Sequence, residues 1–258
     1  MTEEEFFHAW QSHFETNADP ADLAISAGRL CTPPEPAFIF TAGYQAAIRA
    51  TFTEIVSNQW LAYAASEDRS EDQRKPGVTI ESDHLYGVKT WVAASKYVGE
   101  LIVKVGSGEK SRFVKVSAHA PGVNITHKPA PRFLPKLSQG EAEFNGAEFA
   151  ELQDLSLISG FADCESYYIY LALLASLSNY GSSANDDSAP PAFSQRANVI
   201  LQTHKGSRHN LGKLDKAVQA LLTSSEPDIV SLLSACGDDA KLFSMYSKGI
   251  QVRHGEPG

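Results

Sequence analysis

The chain has 258 residues, 43% of them hydrophobic and 21% charged, a balance that excludes global disorder and can furnish a sizeable core. Its 22 basic and 31 acidic residues give a formal charge of -9, so the surface should repel nucleic acid unless basic groups cluster. No run of about 18 apolar residues occurs, so no transmembrane helix and no membrane partner are expected.

Residues 1–58 read as a helical N-region. Phe6, Phe7, Trp10 and Phe14 recur at helical spacing. Asn17-Ala-Asp19-Pro20 is a break and a fresh start, with Asp19 as N-cap and Pro20 in the first turn. Pro33, Pro34 and Pro36 close that helix, and a third is expected from Ala37 to Asn58.

From Gln59 the period changes. Leu61, Tyr63 and Ala65 alternate with smaller residues; Thr79 to Glu81 and Leu85 to Trp91 read as strands around the turn Ser82-Asp83-His84. Glu100 to Val105 and Arg112 to Ser117 flank Gly106-Ser-Gly108-Glu-Lys110, which reads as a hairpin turn. It lacks the spacing and the following helix of a phosphate-binding loop. Val123 to His127 and Glu141 to Phe144 make a last strand pair. Residues 59–150 are therefore expected to form a central antiparallel β-barrel.

Residues 151–258 return to helix as a C-terminal helical region. Glu165 to Tyr180 is apolar and aromatic nearly all round, the pattern of a buried helix. A loop is expected over 181–191, then shorter helices near 192–204, 211–224 and 226–249, with a frayed tail after Lys248. The fold class expected is α+β, with helical regions on both sides of the barrel.

Three cysteines (Cys31, Cys164, Cys236) form neither a disulfide framework nor a zinc pattern. The start, Met1-Thr-Glu-Glu-Glu5, is acidic where a secretory leader needs positive charge. A cytoplasmic location is expected. No pair among the 8 histidines has the helical spacing of a zinc hydrolase, so no metal site is expected. No Gly-x-Ser-x-Gly elbow occurs either.

The string Gly87-Val-Lys89-Thr-Trp91-Val-Ala-Ala-Ser95 resembles the Gly-x-Lys-x-Trp-(Ile/Val)-(Thr/Ser) signature of the acyl-CoA dehydrogenase family, which lies on a barrel strand against the flavin. Ala65-Ser66-Glu67 looks like that family's Ala-Thr-Glu strand end. Pro121-Gly122-Val123 and Gln139-Gly140 to Phe144 look like its later β segments. The resemblance covers about 59–150 and implies FAD as cofactor, with contacts at Ser66, Trp91, Val92 and Ala93. It also implies an acyl-CoA or related small molecule as ligand, and a place in fatty acid metabolism.

Departures accompany the matches. Ala93 stands where the family has a flavin-bonding hydroxyl, and offers none. Ser95 lies two residues on, on the same strand face. The family's Gly-Ser-Asp turn is replaced by Asp68-Arg-Ser-Glu71-Asp72, whose carboxylates would repel a diphosphate. The Gln-x-x-Gly-Gly and Tyr-Glu-Gly segments are absent. Both helical regions read as shortened, which predicts a homo-oligomer or a heteromer with a family homologue that covers their apolar faces.

Glu165 takes the place where some family members carry their catalytic base, and apolar neighbours (Phe161, Tyr167, Tyr168) would raise its pKa. It equally suits a helix N-terminus. Trp91 would stack on a flavin, or anchor the barrel with its N–H on backbone. Lys89 reads as a solvated strand residue. Lys205, Arg208, His209, Lys213 and Lys216 form the one basic stretch, either a grip for a CoA phosphate or acidic partner, or a solvated surface. Two functions follow: a degenerate scaffold that binds a ligand or partner without full flavin chemistry, or an FAD-dependent acyl-CoA dehydrogenase acting on the α,β carbons of an acyl thioester.

Overall fold

A computed structural model describes residues 1–16, 19–68, 70, 75–129, 131–180 and 190–254. It divides into a helical unit (8–50 and 159–258, with Met1) and a sheet unit (2–7 and 51–158). The class is α+β. Among the described residues no helix is long and apolar enough to cross a membrane.

The helical unit is built on α4 (Phe161–Asn179), in which Cys164 and every residue from Ser166 to Leu177 are buried. Its apolar surface runs all round the helix, so it needs neighbours on every side. Helices α1 (Glu3–Thr16), α2 (Pro20–Leu30) and α3 (Pro36–Thr51) precede it; α5 (Ala192–His204), α6 (Leu211–Leu222), α7 (Pro227–Ala235) and α8 (Lys241–His254) follow. Two glycines set the close approach. A Cβ on Gly28 of α2 would come within 2.7 Å of Ala172 Cα, and one on Gly43 of α3 within 2.6 Å of Ile169 Cγ1. Backbone meets backbone at both points, and no side chain fits between.

Local signals explain the helix ends. Asp19 caps α2 by accepting from Ala21 N at 2.8 Å and Asp22 N at 3.1 Å, with Pro20 as the first helical residue. Helix α3 ends at Thr51, short of Asn58, because Phe52 turns to pack with Tyr63 (5.7 Å) and Phe113 (6.1 Å) in the sheet unit. Gly237, at φ +58, divides the expected helix over 226–249 into α7 and α8. Helix α8 continues to His254 rather than fraying after Lys248. Its last turn is tied to Asp163 of α4 by Arg253 Nε at 2.6 Å and His254 Nε2 at 2.8 Å.

In the sheet unit the strands are β1 (Trp60–Ala64), β2 (Thr79–Glu81), β3 (His84–Ala93), β4 (Val98–Val105), β5 (Arg112–Ser117), β6 (Val123–His127), β7 (Gln139–Ala147) and β8 (Ala150–Glu151). They form two four-stranded sheets, ordered β1-β4-β5-β8 and β2-β3-β7-β6. Leu85, Val92 and Phe144 from one sheet and Leu101, Val103 and Val114 from the other share one apolar cluster.

The purely antiparallel pairing expected from the sequence is corrected at one point. Strands β1 and β4 pair in parallel, because the chain crosses into the other sheet between them and returns in the same direction. No ladder joins the edge strands β1 and β8 to β2 and β6 among the described residues, so no closed barrel is found.

The turn between β2 and β3 has positive φ at both central residues, Ser82 (48°) and Asp83 (62°), the geometry a two-residue hairpin needs. Residues 106–110 do join β4 to β5 as a hairpin, through a 3-10 turn at Gly108–Lys110. The first turn of α1 is held on the sheet unit by Glu3, whose carboxylate accepts from Ser138 N at 3.0 and 3.1 Å and from Ser138 Oγ at 2.8 Å. Phe7 adds ring contacts to Trp60 (4.9 Å) and Tyr97 (5.2 Å).

Candidate functional site

Five of the six residues singled out from the sequence lie in the sheet unit, around β3. Trp91 is half-buried, and its indole N–H donates to Gln139 Oε1 at 3.1 Å. Gln139 in turn donates to the Phe133 carbonyl at 2.7 Å. The indole is therefore satisfied by a side chain on β7, not by backbone. Val92 and Ala93 are fully buried.

Ser95 does not share the strand face of Ala93. Strand β3 stops at Ala93, and Ala94 turns the chain with φ +53. Ser95 is then buried, with its N–H on the Ser138 carbonyl at 3.2 Å and its Oγ 2.9 Å from His127 Nδ1. Gly140 permits this placement, since a Cβ there would sit 2.9 Å from Ser95 Cβ. Ser66 is exposed beyond β1, and its carbonyl accepts from Thr90 N at 2.9 Å.

Lys89 overturns its reading as a solvated residue. It is 1% exposed and paired with Glu67. Glu67 also accepts from Val78 N at 3.1 Å. Burial lowers the Lys89 pKa, and the bond to Glu67 counters that shift. Strand alternation places Lys89 opposite Thr90 but does not reveal that Glu67, itself held by Val78 N and close to Gly77, meets it there.

Asp68, one of the carboxylates expected to repel a diphosphate, is ionised below the usual carboxylate range by hydrogen bonds from Ser70. Its neighbours Arg69, Glu71 and Asp72 lie outside the described residues, as do 17–18 and most of the loop expected over 181–191.

A polar cavity of about 390 Å³ opens near this region, lined by Lys96, Tyr97, His127, Lys128 and Lys136 together with Glu3. Lys128 donates to the Thr90 carbonyl at 2.6 Å and lies 3.7 Å from Glu141, so its charge is already met.

The sixth residue, Glu165, lies in the first turns of α4 in the helical unit. It keeps some exposed surface as a residue, yet burial of its carboxyl raises the pKa to about 7. A hydrogen bond from Tyr246 and the charge of Arg253, both on α8, oppose that rise. Tyr246 is pushed well above its ordinary value by burial and by the facing Glu165 charge. Tyr246 and Arg253 went unnoticed in the sequence, where some 80 residues separate them from Glu165. Asp163 is drawn up by burial, but hydrogen bonds from Arg253 and His254 outweigh this and hold it below the usual range.

The basic stretch is dispersed rather than pooled. Lys205 pairs with Asp22 of α2, Arg208 turns in to Cys164 Sγ, and His209 Nε2 lies 3.0 Å from Asn210 Nδ2. Among the described residues no group of three His, Cys, Asp or Glu could hold a metal ion.

Measured against the FAD contacts that the resemblance implies, the side chains fit poorly. Trp91 and Ser95 already have partners, Ala93 has no donor, and Val92 is enclosed. Of the five, only Ser66 is an exposed residue.

No protein-family model matches the chain, and no curated protein matches it in sequence. Solved structures do. Butyryl-CoA dehydrogenase from Megasphaera elsdenii aligns with a TM-score of 0.61 at 10% identity, covering 98% of this chain and 87% of that one. The prolyl acyl carrier protein oxidase AnaB aligns at 0.59 and 12% identity, covering 97% and 88%. The FAD complex of PigA gives the same values. At these identities the likeness is one of fold, and the fold of this chain is that of the acyl-CoA dehydrogenases and related FAD-dependent dehydrogenases.

Proposed function

We propose that this chain keeps the acyl-CoA dehydrogenase scaffold and works by binding a ligand or a partner chain, without flavin chemistry of its own. The observation that carries this reading is the state of the β3 end. There the Trp91 N–H is held by Gln139 and the Ser95 hydroxyl by His127, while Val92 and Ala93 are enclosed. A flavin would have to displace His127 from the Ser95 hydroxyl and would find no hydroxyl at Ala93, and each net hydrogen bond is worth about 1 kcal/mol. Several losses together weaken a cofactor by orders of magnitude, since about 1.4 kcal/mol is tenfold.

The test is the visible absorbance of the purified protein, before and after adding FAD and desalting. The scaffold reading expects a colourless protein that sheds added FAD. Retained flavin absorbance overturns it. The partner is expected to be a second copy or a homologous chain, and light scattering should find an oligomer.

One observation favours a second reading. A carboxyl with a pKa near 7, as burial gives Glu165, is matched to general-base work at neutral pH. In that reading Glu165 takes a proton from the α-carbon of an acyl thioester, and a partner chain completes the FAD site. Flavin bound by a complex, with neither chain binding alone, would decide for it.

A further inference from the structure

The proposed function leaves the basic residues after α5 unused. In the helical unit two of them reach a cavity of about 430 Å³ at the first turn of α4, lined by Gly160, Asp163, Gly206, Arg208, His209 and His254. Three side chains able to carry positive charge thus meet one carboxylate. That carboxylate is already matched: Asp163 accepts Arg253 Nε at 2.6 Å and His254 Nε2 at 2.8 Å.

The wall of the cavity adds to the positive field. Helix α4 has 19 residues and begins at Gly160, which supplies no side-chain cap to its first N–H groups. Arg208 is exposed and anchored by one hydrogen bond to Cys164 Sγ. A guanidinium has five N–H donors, so its fork keeps others for a ligand. The chain as a whole carries -9, and here Asp163 is the one lining carboxylate and is met by Arg253, which leaves the Arg208 charge to the cavity.

We infer that this cavity binds a phosphate-bearing small molecule, with Arg208 as its principal anchor and His209 as a flanking donor. Arginine matches a phosphate with two parallel hydrogen bonds, which a point charge cannot do. The volume lies within the range of small-molecule sites. An acidic peptide is the poorer match, because it needs a continuous basic strip, and Lys205 at one end is paired with Asp22.

The inference stands apart from the scaffold reading: it concerns the helical unit alone, and flavin retention and phosphate affinity are separate measurements. The experiment is calorimetric titration of the full chain with inorganic pyrophosphate, with inorganic phosphate and an acidic peptide as further arms. Saturable binding of one pyrophosphate per chain is expected, weakened about tenfold or more in Arg208→Gln. Arg208→Lys, which keeps charge but not the fork, should recover only part of the loss. His209→Gln, at an exposed position, should weaken binding by less, and it serves as the second variant if Arg208→Gln fails to fold. No saturable binding at millimolar pyrophosphate overturns the inference. So does unchanged affinity in both Arg208→Gln and His209→Gln, or an acidic peptide that binds without being displaced by pyrophosphate.

Discussion

The end of β3 and the start of α4 treat their polar groups in opposite ways. Around β3, Trp91 donates to Gln139, Gln139 donates to Phe133, Ser95 sits against His127 and Lys89 is enclosed with Glu67. Around α4, burial raises the Glu165 pKa to about 7, and Arg208, His209 and His254, with one partner each in Cys164, Asn210 and Asp163, line a cavity. Buried polar groups must find partners, and the β3 groups find them inside the fold. What distinguishes a ligand site from a structural one is where polar groups are left facing solvent, not how many there are.

The largest expected effect would break the β3 side of that comparison. Glu67→Ala leaves Lys89 charged and enclosed, and breaking a buried pair in this way costs about 3–5 kcal/mol. Urea denaturation should show that loss, and a much smaller one for Lys89→Met, which removes the buried charge and leaves Glu67 its exposed side. Equal losses in the two variants would mean that the pair is not enclosed.

Next comes the frame that carries α4. Gly43→Ala drives a methyl into Ile169, and overpacking of this kind costs about 1–3 kcal/mol. Thermal unfolding should begin lower by roughly 2–4 °C for each kcal/mol lost.

Glu165 gives a pH signature. Its folded pKa of about 7 lies above the usual 4.5, so the folded state binds the proton more tightly than the unfolded one. The stability this gives is complete below about pH 4.5 and is lost as pH rises through 7. Glu165→Gln should be nearly silent at pH 4.5 and more stable than the parent above pH 7. The gain should be on the order of 1–3 kcal/mol, at about 1.4 kcal/mol per pKa unit. A difference that does not change with pH would remove the raised pKa from the account. The smallest effect is at the cap: Asp19→Ala should cost about 1 kcal/mol.

The sequence makes local features legible and distant ones not. Asp19-Pro20 announces a helix start by residue type alone, and the all-round apolar run from Glu165 predicts the buried α4. The string from Gly87 to Ser95 located the strand that carries Trp91, and with it the family whose fold this is. The parallel pairing of β1 with β4 joins segments nearly 40 residues apart and leaves no mark in either strand's alternation. Lys89 shows the same limit: strand period gives its side of β3 but not that Glu67, 22 residues earlier, pairs with it there. The last turn of α8 reads as a frayed tail from its own residues because Asp163, which holds Arg253 and His254, lies some 90 residues earlier.

The site reading was legible only in outline. Ala93 lacks a hydroxyl, and that is visible by inspection. That Gln139 and His127 would occupy the Trp91 and Ser95 donors follows from the β3–β7 pairing and the turn at Ala94, which only the folded chain displays.

The most direct measurement is an equilibrium titration of the purified chain with FAD, following flavin fluorescence. The account predicts no saturable change at micromolar protein and flavin, because the donors at the end of β3 already have partners. Saturable quenching that reaches one FAD per chain would contradict it.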